Sequence, residues 1–152
     1  ELGAHRVVPV ISERSVPDWD EAKAAAKVEK WRSVCIESIK QCGSAWLPTL
    51  EMPMTPSAAI EDARGAEVSL IATLQSDAKH PRTHINGYEA ENGQAPKKLA
   101  IWVGPEGDYT PAEINQIRGS ALPITLGPLV LRSETAAIYC LAFLNYELQS
   151  RP

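Results

Sequence analysis

Two glycine-bearing turns hold the residues whose types and spacing suit chemistry. The first is Gly104-Pro105-Glu106-Gly107; the second runs from Leu126 and Gly127 through Leu131, Arg132, Ser133, Glu134, Thr135 and Ala136. Each follows a short apolar run that reads as a buried strand, Leu99–Val103 and Ile124–Leu126, and each leads into a helix start. In an open α/β sheet, small ligands bind in crevices at strand C-terminal ends, and helix N-termini there favour negative groups. Arg132 is the candidate for electrostatic help, with Glu106 and Glu134 as groups that orient a reactant or accept a proton. From the residues alone, Glu134 is equally a first-turn helix acid and Arg132 an ion-pair partner. A phosphate-binding enzyme with an anion cradle at 104–107 is a second reading. That turn, however, lacks the Lys-Ser/Thr ending of a P-loop and the three-glycine dinucleotide fingerprint.

Other reactive side chains are less suggestive. His80 and His84 have the four-residue spacing of a helical metal pair, but Pro81 between them argues against a helix there. They read as surface histidines. Cys35, Cys42 and Cys140 have no ligand-like spacing and read as reduced core residues. Two helical turns separate Cys35 from Cys42, about 10 Å of rise, too far for an unstrained disulfide.

These turns need strands and helices to hold them. Val7–Ile11, Val68–Leu74, Leu99–Val103 and Ile124–Leu126 read as strands alternating with helices, an α/β arrangement with a mainly parallel sheet. Pro9 predicts irregular or edge pairing in the first strand. A long helix is expected from Asp20 to Cys42, with Val28, Trp31, Cys35, Ile39 and Cys42 along one side and Gly43 ending it. Leu47–Leu50 is extended, and a small helix around Ser57–Arg64 is capped by Thr55 or Ser57. Residues 75–98 show the least structure. Thr110-Pro-Ala-Glu113 is a capping box opening a helix to about Gly119, and Ser133 is expected to cap a last helix over Glu134–Gln149. Ala136–Leu144 is apolar without interruption, so that helix must be covered on more than one side, in a domain this small by another subunit.

A chain of 152 residues, 44% hydrophobic and 22% charged, fits one folded domain. Its single Phe leaves aliphatic residues and four Trp to fill the interior. No apolar window reaches membrane-span length and no signal-peptide pattern opens the sequence. The net charge of −4 is awkward for a nucleic-acid partner, whose phosphates are normally met by clustered Lys and Arg. Glu1-Leu-Gly3 reads as the last turn and glycine cap of a helix begun earlier, so a fragment is expected.

Gly104-Pro-Glu-Gly107 with Tyr109-Thr-Pro-Ala-Glu-Ile114, then Leu126-Gly127 and Leu131-Arg-Ser-Glu-Thr-Ala136, resembles the bacterial methyltransferases that make N3-methyluridine in small-subunit (16S) ribosomal RNA. Glu1-Leu-Gly3, Pro9–Ser15 and Glu29-Lys-Trp31 extend the resemblance over the whole chain. That family belongs to the SPOUT superfamily, which uses S-adenosylmethionine. The resemblance implies a parallel sheet with helices on both faces, a C-terminal trefoil knot, and a cytoplasmic homodimer paired through helices beside the knot. It implies a cofactor pocket made from the two turns (Gly104, Pro105, Glu106, Gly107; Leu126, Gly127, Leu131, Ser133, Thr135, Ala136) together with Thr73 and Leu74. It also places Arg14 and Arg132 toward RNA, and puts an N-terminal PUA-like RNA-binding domain before this one. Two positions depart from the family: Ser44 where Arg is usual and Asp108 where a second glycine is usual; 74–75 matches its post-strand pattern only in part. An RNA-binding module of the same fold that has lost catalysis is the non-enzymatic alternative.

Overall fold

The computed structural model describes residues 1–15 and 20–149. The described elements are β1 (Arg6–Val7), α1 (Glu21–Cys42), β2 (Thr49–Leu50), α2 (Pro56–Asp62), a 3-10 turn (Ala63–Gly65), β3 (Val68–Ala72), α3 (Pro81–Asn92), β4 (Leu99–Trp102), α4 (Pro111–Arg118), β5 (Leu122–Ile124) and α5 (Ser133–Gln149).

All described strand pairing is parallel. The principal sheet has the order β4-β3-β5, with Val68 opposite Leu99 and Leu70 opposite Leu122. Side chains alternate across a strand, so β3 feeds two cores. Ile71 joins Ala59, Trp102, Tyr109, Ile114 and Ile117 under α2 and α4. Val68 and Leu70 join Ile85, Ile124, Cys140 and Leu144 under α3 and α5. Helices therefore cover both faces, and the interior is largely aliphatic as the composition predicts. Across the second face, Arg82 of α3 makes a two-pronged ion pair with the buried carboxylate of Glu147 in α5.

Several expected elements take another form. The expected buried strand over Val7–Ile11 is short and exposed: only Arg6–Val7 is strand, paired with β2. Pro9 supplies no N–H, and pairing resumes as a bridge between Val10 and Met54. The strand expected at Ile124–Leu126 lies earlier, at Leu122–Ile124. Thr125 bends the chain instead, its hydroxyl accepting from the Gly127 amide at 3.2 Å.

Residues 75–98, expected to show the least structure, instead hold a well-formed helix, because α3 occupies their centre. Pro81 opens that helix from its first turn, where a missing N–H costs nothing, and the His80 imidazole caps it by accepting from Arg82 N at 3.2 Å. His80 is exposed, and His84 contacts the carbonyl of Pro123 through Nε2 at 3.1 Å. Cys42 is exposed and Cys35 half-buried, so only Cys140 is a core thiol, which burial pushes up to about 11. Of the tryptophans, Trp102 is buried, Trp31 half-buried and Trp46 exposed, while Trp19 lies outside the described residues.

Candidate functional site

The first glycine turn is built by its neighbours. Pro105 to Asp108 closes as a tight turn, with Asp108 N donating to Pro105 O at 2.8 Å. The buried Tyr109 then anchors it to β4, its hydroxyl donating to Val103 O at 3.1 Å, and burial pushes that phenol up. Thr110 caps α4 with both halves of a capping box, as the Thr-Pro-Ala-Glu spacing predicts. Glu113 does more than cap. One of its oxygens accepts from the amide of Glu13 at 2.8 Å, which ties the loop after β1 to the helix. Desolvation works against the Glu113 carboxylate, but hydrogen bonds from the Thr110 and Glu13 amides and the Thr110 hydroxyl, with Arg14 nearby, outweigh it and hold the group below its ordinary range. Arg14 donates to Gly107 O at 2.6 Å, so this guanidinium clasps the outside of the turn.

The second turn reaches the first through Ser133. Its hydroxyl donates to Gly104 O at 2.7 Å. The expected capping role does not hold: Ser133 is already the first residue of α5, and the initial helical bond runs from Ala136 N to Arg132 O at 2.8 Å. Gly127 takes φ +110°, a conformation that side chains disfavour, and the direction a Cβ would take is open space.

Between the turns and the end of β3 lies a cavity of about 350 Å³. Ten of the twelve residues expected to hold a cofactor line it: Thr73, Leu74, Gly104, Pro105, Glu106, Leu126, Gly127, Leu131, Ser133 and Ala136. Gly107 and Thr135 are not among the lining residues. Arg132 and Glu106 line it from exposed positions, whereas Glu134, the third candidate for chemistry, sits in the first turn of α5 and does not. Arg132 has no ion-pair partner among the described residues, so the reading of it as one half of a structural pair finds no support. Sequence reasoning missed Ala72, Val103, Leu129 and Val130, and singled out Asp108 only as a departure from the family pattern. Their signal was adjacency to the two turns. Leu129 and Val130 are 74% and 77% exposed and form an apolar rim with Leu74.

The walls are mainly aliphatic with a few polar anchors, and the size suits a nucleoside-like ligand. Gly127 allows close backbone approach, while Leu126 and Leu131 offer flat apolar cover. No grouping of three or more His, Cys, Asp and Glu side chains suited to a metal occurs among the described residues, and no described helix is long and apolar enough to cross a membrane.

Comparison with known proteins gives a consistent result. The model of a family described as an RNA methyltransferase domain matches residues 1–145. The ribosomal RNA small subunit methyltransferase E of Bacillus subtilis is 29% identical over 98% of this chain and 58% of its own length. That of Mesomycoplasma hyopneumoniae is 30% identical over 93% and 58%. A Legionella pneumophila methyltransferase structure, in complex with the cofactor SAM, superposes with a TM-score of 0.85 at 33% identity, over 96% of this chain and 57% of that one. The chain thus spans somewhat over half the length of these relatives.

Proposed function

The chain belongs to the RNA methyltransferase domain family, and from that premise we propose that it is the catalytic domain of an S-adenosylmethionine-dependent enzyme that methylates N3 of a uridine in small-subunit ribosomal RNA. The observation that carries the reading is the pocket at the strand ends, with the carbonyl of Gly104 held by Ser133 and the backbone of Gly127 left open to a ligand. The relatives named for small-subunit RNA support the substrate, and the SAM-bound neighbour supports the cofactor.

In this reading Leu126 and Leu131 would cover the faces of the adenine, and backbone amides and carbonyls lining the pocket would read its edge. Thr73, Leu74 and Ala136 would complete the walls. When bound, the cofactor supplies an electrophilic methyl group on a sulfonium. The protein's task is to hold the uridine N3 in line with that methyl and to favour loss of the imide proton. Arg132, free of a described carboxylate partner, stabilises negative charge developing on the base, and Glu106 at the pocket mouth accepts or relays the proton. Glu134 acts more remotely, as a carboxylate favoured at the start of α5. Arg14 both clasps Gly107 and presents charge toward RNA on the same side of the turn.

A trefoil knot formed by the segment around the second turn, and a cytoplasmic homodimer paired through α5, belong to the same proposal. The exposed Ile138 and Tyr139 on α5 support the pairing. RNA docking requires basic surface, and with a net charge of −4 it depends on groups outside these 152 residues, such as a PUA-like domain.

Calorimetric titration with S-adenosylmethionine, ATP and a short uridine-containing RNA tests the assignment. Binding of S-adenosylmethionine alone among the small molecules is expected. Binding of ATP in its place would favour the phosphate-binding reading.

A further inference from the structure

We infer that the Asp108 carboxylate makes the pocket selective for a cationic ligand, favouring the sulfonium cofactor over the neutral thioether that remains after methyl transfer. The inference rests on the cofactor reading above and names a specificity residue within that site.

Asp108 is the only non-glycine residue at positive φ among the described residues, at +57°. An L residue enters this region only at a cost, which Asp and Asn bear better than most. Its side chain is held in place. Oδ1 accepts from the amide of Tyr109 at 2.8 Å, and it lies 2.7 Å from where a Cβ on Gly104 would stand. The carboxylate therefore lies across the face of Gly104, a position that only glycine leaves open. Asp108 and Gly104 both line the pocket.

Charge then decides what this arrangement favours. The lining holds two carboxylates, Glu106 and Asp108, against one guanidinium, Arg132. Glu106 and Arg132 are exposed and well screened, whereas Asp108 is half-buried. Oδ2 of Asp108 has no hydrogen-bond partner among the described residues, so the group keeps a free acceptor as well as its charge. Methyl transfer leaves the electron pair of the broken C–S bond on sulfur, and the ligand loses its positive charge there. A fixed, partly desolvated carboxylate interacts with the ligand before that event more favourably than after it. The same charge that strengthens cofactor binding thus promotes release of the demethylated product.

The test is calorimetry on this chain with S-adenosylmethionine, its thioether product S-adenosylhomocysteine, and sinefungin, which carries an amine in place of the sulfonium. Asp108→Asn removes the charge and keeps both the acceptor for Tyr109 and tolerance of positive φ. It is expected to weaken S-adenosylmethionine and sinefungin by about fivefold while changing the thioether by less than about twofold. Asp108→Gly, which relieves the backbone, should give the same change in ratio and guards against a folding defect in the first variant. Equal effects on all three ligands, or none, would overturn the inference while leaving the cofactor reading intact. Failure of the unsubstituted protein to bind any of them would overturn both.

Discussion

The hydroxyl of Ser133 and the carbonyl of Gly104 are joined by a 2.7 Å hydrogen bond that fastens the start of α5 to the turn after β4. Ser133→Ala should cost about 1 kcal/mol in urea unfolding and weaken cofactor binding, since an unheld Gly104 carbonyl no longer fixes the pocket wall. Unchanged affinity in the folded variant would show that the turn is rigid without it.

Gly127→Val forces a β-branched residue into φ +110° and fills space the ligand backbone approach requires. Cofactor affinity should fall at least about tenfold, with most of the fold retained because the added atoms meet no protein neighbour in the described structure. Calorimetry beside circular dichroism reads both effects, and full affinity would move the ligand elsewhere.

Arg132→Ala should lower turnover on small-subunit RNA more than it lowers cofactor affinity, because the guanidinium lines the pocket from an exposed position that a docked RNA can reach. Methyl incorporation measured at saturating cofactor separates the two. A loss confined to cofactor affinity would assign Arg132 to cofactor binding instead.

For α5, Ile138→Asp should yield a monomer at micromolar concentration in sedimentation, while the unsubstituted chain sediments as a dimer. Ile138 is 59% exposed, so the change leaves the described core alone. A compact monomer for both would remove α5 as an interface.

Despite desolvation, the Glu113 carboxyl is held below the ordinary carboxylate range in the fold by the Thr110 and Glu13 amides and the Thr110 hydroxyl. A depressed carboxylate contributes stability above its unfolded pKa, and that contribution disappears as pH falls through the folded value. The difference in urea midpoint between the protein and Glu113→Gln should therefore be largest near neutrality and shrink below about pH 4. A difference independent of pH would mean that charge on Glu113 is not what secures the Glu13 amide and the helix start.

Local signals predicted the parts of this protein that local chemistry decides. The capping box at Thr110, the αL glycine after Cys42 and the apolar run of β3 each need only a few neighbouring residues; the first two stand where the pattern puts them, and β3 begins at the expected Val68 but ends two residues early, at Ala72. Pro81 misled for the same reason: proline ends a helix from its middle but begins one from its first turn, and periodicity does not say which applies. Ser133 had the right residue type for a cap, yet its hydroxyl is taken by Gly104, a partner brought near only by the tertiary fold. The same holds for Glu113, where the box was visible and the bond to Glu13 was not. Most residues lining the cavity lie in the two turns to which the family resemblance pointed. The apolar rim at Leu129 and Val130 was missed because exposed aliphatic residues carry no chemical signature of their own.

The central place of β3 sets a schedule for synthesis. Both strands that border it, β4 and β5, lie later in the sequence, so a chain leaving the ribosome presents Val68–Ala72 with two open edges. Such a segment is a template for wrong partners until Leu99–Trp102 arrives on one side and Leu122–Ile124 on the other. The last helix must follow before the second face is covered, since Cys140 and Leu144 belong to that core. Interruption of translation anywhere before α5 therefore leaves a sticky nascent chain, and slowed elongation between residues 72 and 140 should raise its demand for chaperones that hold hydrophobic strands.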